Sequence, residues 1–244
     1  MGKDILIIGE SCRDIFVYCD ANRLCPDVPV PVLNIVNQNE NAGMAKNVQR
    51  NILSKINSCD ILTNKSWVNI TKTRYVHEKT NHTFFRVDSP DNITRINLDD
   101  IDYDYKIIVI SDYNKGFLSE SDIETISKKH SCVFLDTKKI LGKWAENCKF
   151  IKINDFEYNN SKNYLTDNLK TKIIHTMGGD GCEYQGNTYP VNKVDVKDSS
   201  GAGDSFMAAL VVKYLESEDI ISSIKFANKK ASEVVSKKGV TVIE

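Results

Sequence analysis

Five short apolar runs recur along the chain: KDILIIGE near the start, KIIVIS at Lys106–Ser111, CVFLD at Cys132–Asp136, FIKIN at Phe150–Asn154 and KIIHT at Lys172–Thr176. They are continuous rather than alternating, the pattern of strands buried on both faces. Helical spacing fills the intervals. Val48, Ile52 and Ile56 recur every fourth residue, and Ser119–His130 opens with S-E-S-D ahead of Ile123 and Ile126, a capped start. Phe206, Leu210 and Tyr214 mark another helix, and Ile220, Ile224, Ala227, Ala231 and Val235 mark the next. Strand alternating with helix predicts an α/β fold, a mostly parallel sheet with helices on both faces. The 244 residues suffice for a single domain over 1–244 with a small appendage.

Two segments break the alternation and supply that appendage. Residues 15–36 are strand-like but interrupted by Pro26, Pro29 and Pro31, and residues 69–88 form two β-rich runs around Lys79–Asn81, a hairpin. They predict a small antiparallel lid sheet with prolines at its edges. Period two puts Lys72 and Arg74 on one face of the hairpin, and Phe84, Arg86 and Asp88 on one face. Taken alone, these charges suit a solvated edge with ordinary salt bridges. The lid would expose an apolar face, which points to a homodimer formed through it.

The charge balance narrows the partners. With 32 basic and 33 acidic residues the net charge is -1, which favours neither nucleic acid nor an anionic membrane. The N-terminal apolar run is short for a signal peptide, and Met207–Val212 is far too short to span a bilayer. Seven cysteines without a C-x-x-C pair are expected to be free thiols of a cytoplasmic protein. The four histidines show no metal-ligand spacing.

One stretch carries chemistry: DSSGAGDSFMAALVVKY, Asp198–Tyr214. It lacks the lysine and hydroxyl of a P-loop, and Gly9 after the first strand lacks the companions of a dinucleotide fingerprint. An anion hole remains. Gly201, Ala202 and Gly203 would aim backbone N–H groups at an oxyanion, aided by the positive end of the following helix. Asp204 would then serve as base for an attacking alcohol, with the amides stabilising charge on the transferred phosphoryl group. The alternative is a glycine-rich N-cap whose Asp204 only complements the helix dipole.

DSSGAGDSF resembles the C-terminal motif of the ribokinase-like (PfkB) carbohydrate kinases, and further blocks follow in that family's order. GESCRD resembles the N-terminal motif whose last acid, here Asp14, binds sugar hydroxyls. NAGMAKN resembles the sugar-binding turn, with Ala42 in place of its first glycine, then Gly43 and Asn47. NDFE matches the motif linked to metal and phosphates, Asn154 and Glu157. TMGGDG matches the nucleotide loop with Thr176, Gly178 and Gly181. FANKKASEVVSKKGV resembles the adenine-side helix and turn, with Asn228 and Gly239. The resemblance implies a ribokinase-like fold, ATP and Mg²⁺ as cofactors, and Glu157 acting on the metal through water.

NRLCPDVPVPVL, the hairpin TKTRYV…FFRVD, and SDYNKG further resemble the subgroup that phosphorylates D-glycero-D-manno-heptose 7-phosphate. That likeness implies a sugar phosphate as acceptor, met by Lys72, Arg74, Arg86, Asp112 and Lys115. Two departures stand out. The family's next strand-helix-strand unit is missing between Ile52 and Asn69, so one side of the sheet should be small. The usual D-P-K is DTKK at Asp136–Lys139. A kinase for another sugar, and a relative that binds sugar phosphates with little turnover, are the two rivals.

Overall fold

The computed structural model describes residues 3–237, 239 and 241–243. Lys238 and Val240, within the last sequence block, lie outside the described residues.

The apolar runs form the centre of the molecule. β1 (Lys3–Gly9) leads into two long strands, β2 (Ser11–Leu24) and β3 (Pro31–Met44), then α1 (Ala45–Leu53) and the short β4 (Asp60–Leu62). A hairpin follows, β5 (Thr71–His77) and β6 (Thr83–Asp88). Strand and helix then alternate through β7 (Tyr105–Asp112), α2 (Glu120–Lys129), β8 (Val133–Thr137), β9 (Phe150–Asn154), α3 (Asp155–Ser161), α4 (Asp167–Lys170) and β10 (Ile173–Thr176). A small hairpin, β11 (Cys182–Tyr184) and β12 (Asn187–Tyr189), precedes α5 (Ala202–Ser217) and α6 (Ile220–Val235).

The main sheet has the order β12-β11-β10-β9-β8-β7-β1-β4. It is parallel from β4 to β10 and antiparallel only in the terminal hairpin. Alternate residues of each buried strand serve opposite layers. Ile5, Ile7, Phe134 and Ile174 pack against α1, α5 and α6, while Leu6, Ile8, Leu135 and Ile173 pack with Ile123 and Ile126 of α2 and Leu169 of α4. Helices therefore cover both faces, as the continuous apolar runs require. The α2 start is the predicted one: Ser119 caps it, and Asp122 returns the bond in a capping box. On one side the sheet ends at the three-residue β4, and the chain passes from α1 through it directly to the second sheet.

That second sheet, ordered β3-β2-β5-β6, corrects two expectations. Its strands reach from Ser11 to Met44 rather than over 15–36, because polar NQNEN pairs with β2 as an exposed edge that no apolar period announces. It is also mixed, since β2 and β5 run parallel. The reason is topological. β2 and β5 continue from the C-terminal ends of β1 and β4, which are themselves parallel neighbours. Pro31 opens β3 at the outer edge, and Pro26 and Pro29 lie in the connection before it. No helix among the described residues is long and apolar enough to cross a membrane.

Gly9 is where the sheets diverge. A Cβ there would lie 1.9 Å from the Ser111 carbonyl oxygen, so the crossing of β1 past β7 admits no side chain. Gly9→Ala is expected to lower folding stability by about 3 kcal/mol, the upper range for overpacking. An unchanged midpoint in urea-induced unfolding would contradict this account of the crossing.

Candidate active site

The C-terminal ends of the parallel strands open onto a cavity of about 900 Å³ between the main sheet, α3, α5 and α6. Its floor is the start of α5. Gly201 caps that helix in the left-handed region at φ 78, with no side-chain cap. First-turn N–H groups lack intrahelical partners. The Ala202 N–H is satisfied from outside the helix, by the Ser199 carbonyl at 3.2 Å. Gly203 leaves room for a lysine: a Cβ would sit 2.9 Å from Lys152 Nζ.

Asp204, in the first turn of α5, is buried and lines the cavity. Asn47 of α1 donates to its Oδ2 at 2.8 Å, and the Tyr113 hydroxyl donates to its Oδ1 at 2.7 Å. Burial raises its carboxyl to about 6; the two donors and Lys152 restrain the rise, while Asp136 adds to it. Asn47 therefore braces Asp204, with its amide committed there.

Three further charged groups lie on the floor. Lys152 of β9 and Asp136 of β8 form a buried ion pair at 2.8 Å. Asp136 Oδ1 is buried without a hydrogen-bond partner. Lys138 pairs with Glu157 and places its ammonium 5.6 Å from the centroid of the Tyr113 ring. Burial works against the Lys138 charge, yet Asp136 and Glu157 hold its ammonium above the ordinary lysine value.

The residues expected on the nucleotide side divide. Asn154, Thr176, Gly178, Gly181 and Asn228 line the cavity, as do Val191, Val194 and Val235 as apolar wall. Gly181, at φ 90, must be glycine, because a Cβ would meet the Tyr189 carbonyl oxygen at 2.1 Å. Asn228 is held by its amide bond to that same carbonyl at 2.8 Å. Glu157 stands behind the wall rather than in it. Its carboxylate completes a capping box with Asn154, accepting the backbone N–H at 2.8 Å and the side-chain amide at 3.0 Å. Gly239 lies elsewhere, where a Cβ would approach the Tyr18 hydroxyl of β2 at 3.4 Å.

Sheet β3-β2-β5-β6 carries the sugar-side candidates, and each cation there has an acidic partner. Arg74 pairs with Asp14 at 2.6 Å and lies over the Phe16 ring. Arg86 binds Asp88 with both nitrogens at 2.6 and 3.0 Å. Lys72, buried, meets Asp91 at 2.6 Å and Asp88 at 3.4 Å, and Lys115 meets Asp91 at 2.9 Å. Arg74 and Arg86 also line a second cavity of about 310 Å³ with Ser199 and Ser200 of the glycine turn. Gly43 makes space for Asp14, since a Cβ would come within 3.0 Å of its Oδ2. Two expected residues sit outside. Ala42 lines a shallow depression with Lys46 and Gln49. Asp112 is buried with both oxygens on Lys139 at 2.8 and 2.9 Å and the Thr137 hydroxyl on Oδ2, so it shapes the strand end.

Tyr113, Asp136, Lys138, Lys152 and Asp91 were absent from the residues singled out by motif. Asp136 and Lys138 were legible as part of DTKK. Lys152 sits two residues before the NDFE block and is set beside Asp136 by strand register, whereas Tyr113 lies inside SDYNKG and is turned inward by the loop after β7.

This architecture defines a ribokinase-like α/β protein. The ribokinase of Thermotoga maritima superposes with a TM-score of 0.73 at 17% identity, covering 98% of this chain and 94% of that one. Phosphofructokinase-2 of Escherichia coli gives 0.71 at 15%, covering 100% and 96%. Residues 145–244 match the model of the pfkB family carbohydrate kinases. Among curated proteins, the bifunctional protein HldE of Helicobacter pylori (strain G27) is 29% identical over 298 aligned positions, covering 97% of this chain. HldE of a Nitratiruptor species is 24% identical, covering 98% of this chain and 63% of that protein. The chain spans 64% of the length of the Helicobacter relative. An alignment of 298 positions exceeds the 244 residues here, so the relatives carry segments this chain lacks.

Asp204 makes stability pH-dependent in a defined direction. With its folded value raised from 3.8 to about 6, the native state holds a proton that the unfolded chain has released between those values. Its stabilising contribution is full at acid pH and is lost as pH rises through about 6. Asp204→Asn should flatten that dependence and gain about 1–3 kcal/mol at alkaline pH. Thermal melting across the acid-to-neutral range tests it; parallel curves for the two proteins would refute it.

Proposed function

We propose that this chain is an ATP-dependent sugar kinase that phosphorylates a hydroxyl of a sugar phosphate, with D-glycero-D-manno-heptose 7-phosphate the first candidate. The observation that carries the reading is Asp204, buried at the phosphate-attracting start of α5 and oriented by Asn47 and Tyr113 at 2.8 and 2.7 Å. A carboxyl near 6 is largely ionised at neutral pH and can accept the proton of an attacking alcohol. Lys152, beside Gly203, and the first-turn N–H groups of α5 other than that of Ala202 would stabilise charge on the transferred phosphoryl group. Thr176, Gly178, Gly181 and Asn228, with the valine wall, fit the triphosphate and base of ATP.

A divalent ion that keeps several waters needs only one or two carboxylates beside the nucleotide phosphates. The partnerless, buried Oδ1 of Asp136 fits that demand, and Glu157, already engaged by Asn154 and Lys138, would act through water and by ordering the loop. Magnesium, when bound there, would offset negative charge on the phosphates.

For the acceptor, Asp14 suits a sugar hydroxyl, and Arg74 and Arg86 suit its phosphate, where the guanidinium fork binds two oxygens. Lys72 and Lys115, joined through Asp91, form the base on which they stand. The HldE likeness is what singles out a heptose phosphate. A cytoplasmic setting fits seven free cysteines. Exposed Leu24, Ile35, Val36, Phe85 and Val87 on the small sheet fit self-association through it.

Coupled assays with Mg-ATP across heptose, hexose and pentose phosphates should show strongest ATP consumption with the heptose. Activity confined to another acceptor would reassign the substrate, and none at all would leave a sugar-phosphate binder. Asp204→Asn should abolish turnover while ATP and acceptor still bind. Arg86→Ala should weaken acceptor binding roughly tenfold, the scale of one charge-assisted contact. ATP binding should hardly change in that variant, and equal losses for both ligands would sink the assignment.

A further inference from the structure

We propose that Tyr113 is a positioning residue for Asp204, its hydroxyl holding Oδ1 so that the carboxylate stays ionised and aimed at the acceptor; this rests on the kinase reading above. The contact is a 2.7 Å hydrogen bond across a wide sequence gap, made inside the cavity that Tyr113 itself lines.

The loop that delivers the ring is built for it. Glu10, fully buried between β1 and β2, accepts the backbone N–H groups of Tyr113 at 2.8 Å, Lys115 at 2.9 Å and Phe117 at 3.3 Å. Asn114 and Gly116 turn the loop through the left-handed region at φ 55 and 98. A buried carboxylate taking three amide bonds locks the backbone, and through it the ring. Burial, with Asp204 and Asp136 alongside, pushes the Tyr113 hydroxyl well above its ordinary value, so it remains a donor.

The other groups around Asp204 make this donor matter. Asn47 of α1 holds the second oxygen. Asp136 of β8 repels the charge, while Lys152 of β9 and Lys138 beyond β8 favour it. Asp14 of β2 faces the Tyr113 hydroxyl from the sugar side. Lys152 is already committed to Asp136, and Lys138 to Glu157. Hydrogen bonding is therefore what keeps a carboxylate ionised at a position this buried. A carboxylate oxygen has two acceptor sites, so Tyr113 can hold Oδ1 while an acceptor hydroxyl approaches the same carboxylate.

Tyr113→Phe removes one oxygen and leaves the ring. Two measurements on the 244-residue chain test the proposal: the pH profile of kcat, and the Asp204 carboxyl titration followed by carbon NMR. Both should move to higher pH by about one unit, the equivalent of one hydrogen bond to a charged group. The rate near pH 6 should fall roughly fivefold on that displacement and recover at alkaline pH, with KM for ATP and acceptor within about twofold. An unmoved carboxyl titration, or a rate loss equal at every pH, would overturn it. If the wild type were inactive on every acceptor, the kinase reading would fail, and the carboxyl titration would still decide what Tyr113 does.

Discussion

A carboxylate buried at the head of a helix has to be held by donors from elsewhere, and the Asp204 contact is the point on which the molecule converges. α1 brings Asn47, the loop after β7 brings Tyr113, and α5 brings the acid itself. Each is fixed by a different structural unit. Asn51, one turn along α1, bonds back to the Asn47 carbonyl and reaches the Ile243 N–H. Glu10 braces the loop, and apolar burial along α5 presses its start against the sheet. Displacing any one of the three would leave a desolvated charge without its partner, which is far more unfavourable than the bond is favourable.

The same economy governs the strand ends. Asp136–Lys152, between β8 and β9, and Asp112–Lys139, between the end of β7 and the bend after β8, are both buried ion pairs. Such pairs add little net stability, because desolvation offsets attraction. They differ in what they leave over. Asp112 has both oxygens satisfied, whereas Asp136 keeps one oxygen without a partner at the cavity floor. One pair closes a structural corner and the other leaves a buried acceptor unsatisfied in a residue that lines the cavity. Neighbouring sequence positions thus carry different chemistry for a reason of hydrogen-bond satisfaction.

Much of the fold was legible because buried parallel strands must be apolar on both faces. The five runs, the capped start of α2 and the hairpin around Asn81 all appear where residue pattern places them. The polar β3 edge was not legible, since NQNEN gains its strand only from backbone pairing with β2. For the candidate site, the turns of G-A-G-D and T-M-G-G-D-G were readable because backbone at positive φ restricts residue choice. Asp91 was not: its two lysine partners lie in β5 and in the loop after β7, and nothing local marks it.

Sequence alone therefore determined the layers, the glycine turn and the acid behind it, since each depends on local period or on a backbone conformation that few residues tolerate. Tertiary structure decided which groups meet that acid and which cations are engaged. It put Tyr113 rather than Asp112 against Asp204, and left Glu157 behind the cavity wall that Asp136 helps to line. The reason is physical. Whether a polar side chain serves the scaffold or the site depends on which partners satisfy it, and those partners come from strands and loops far apart in the chain.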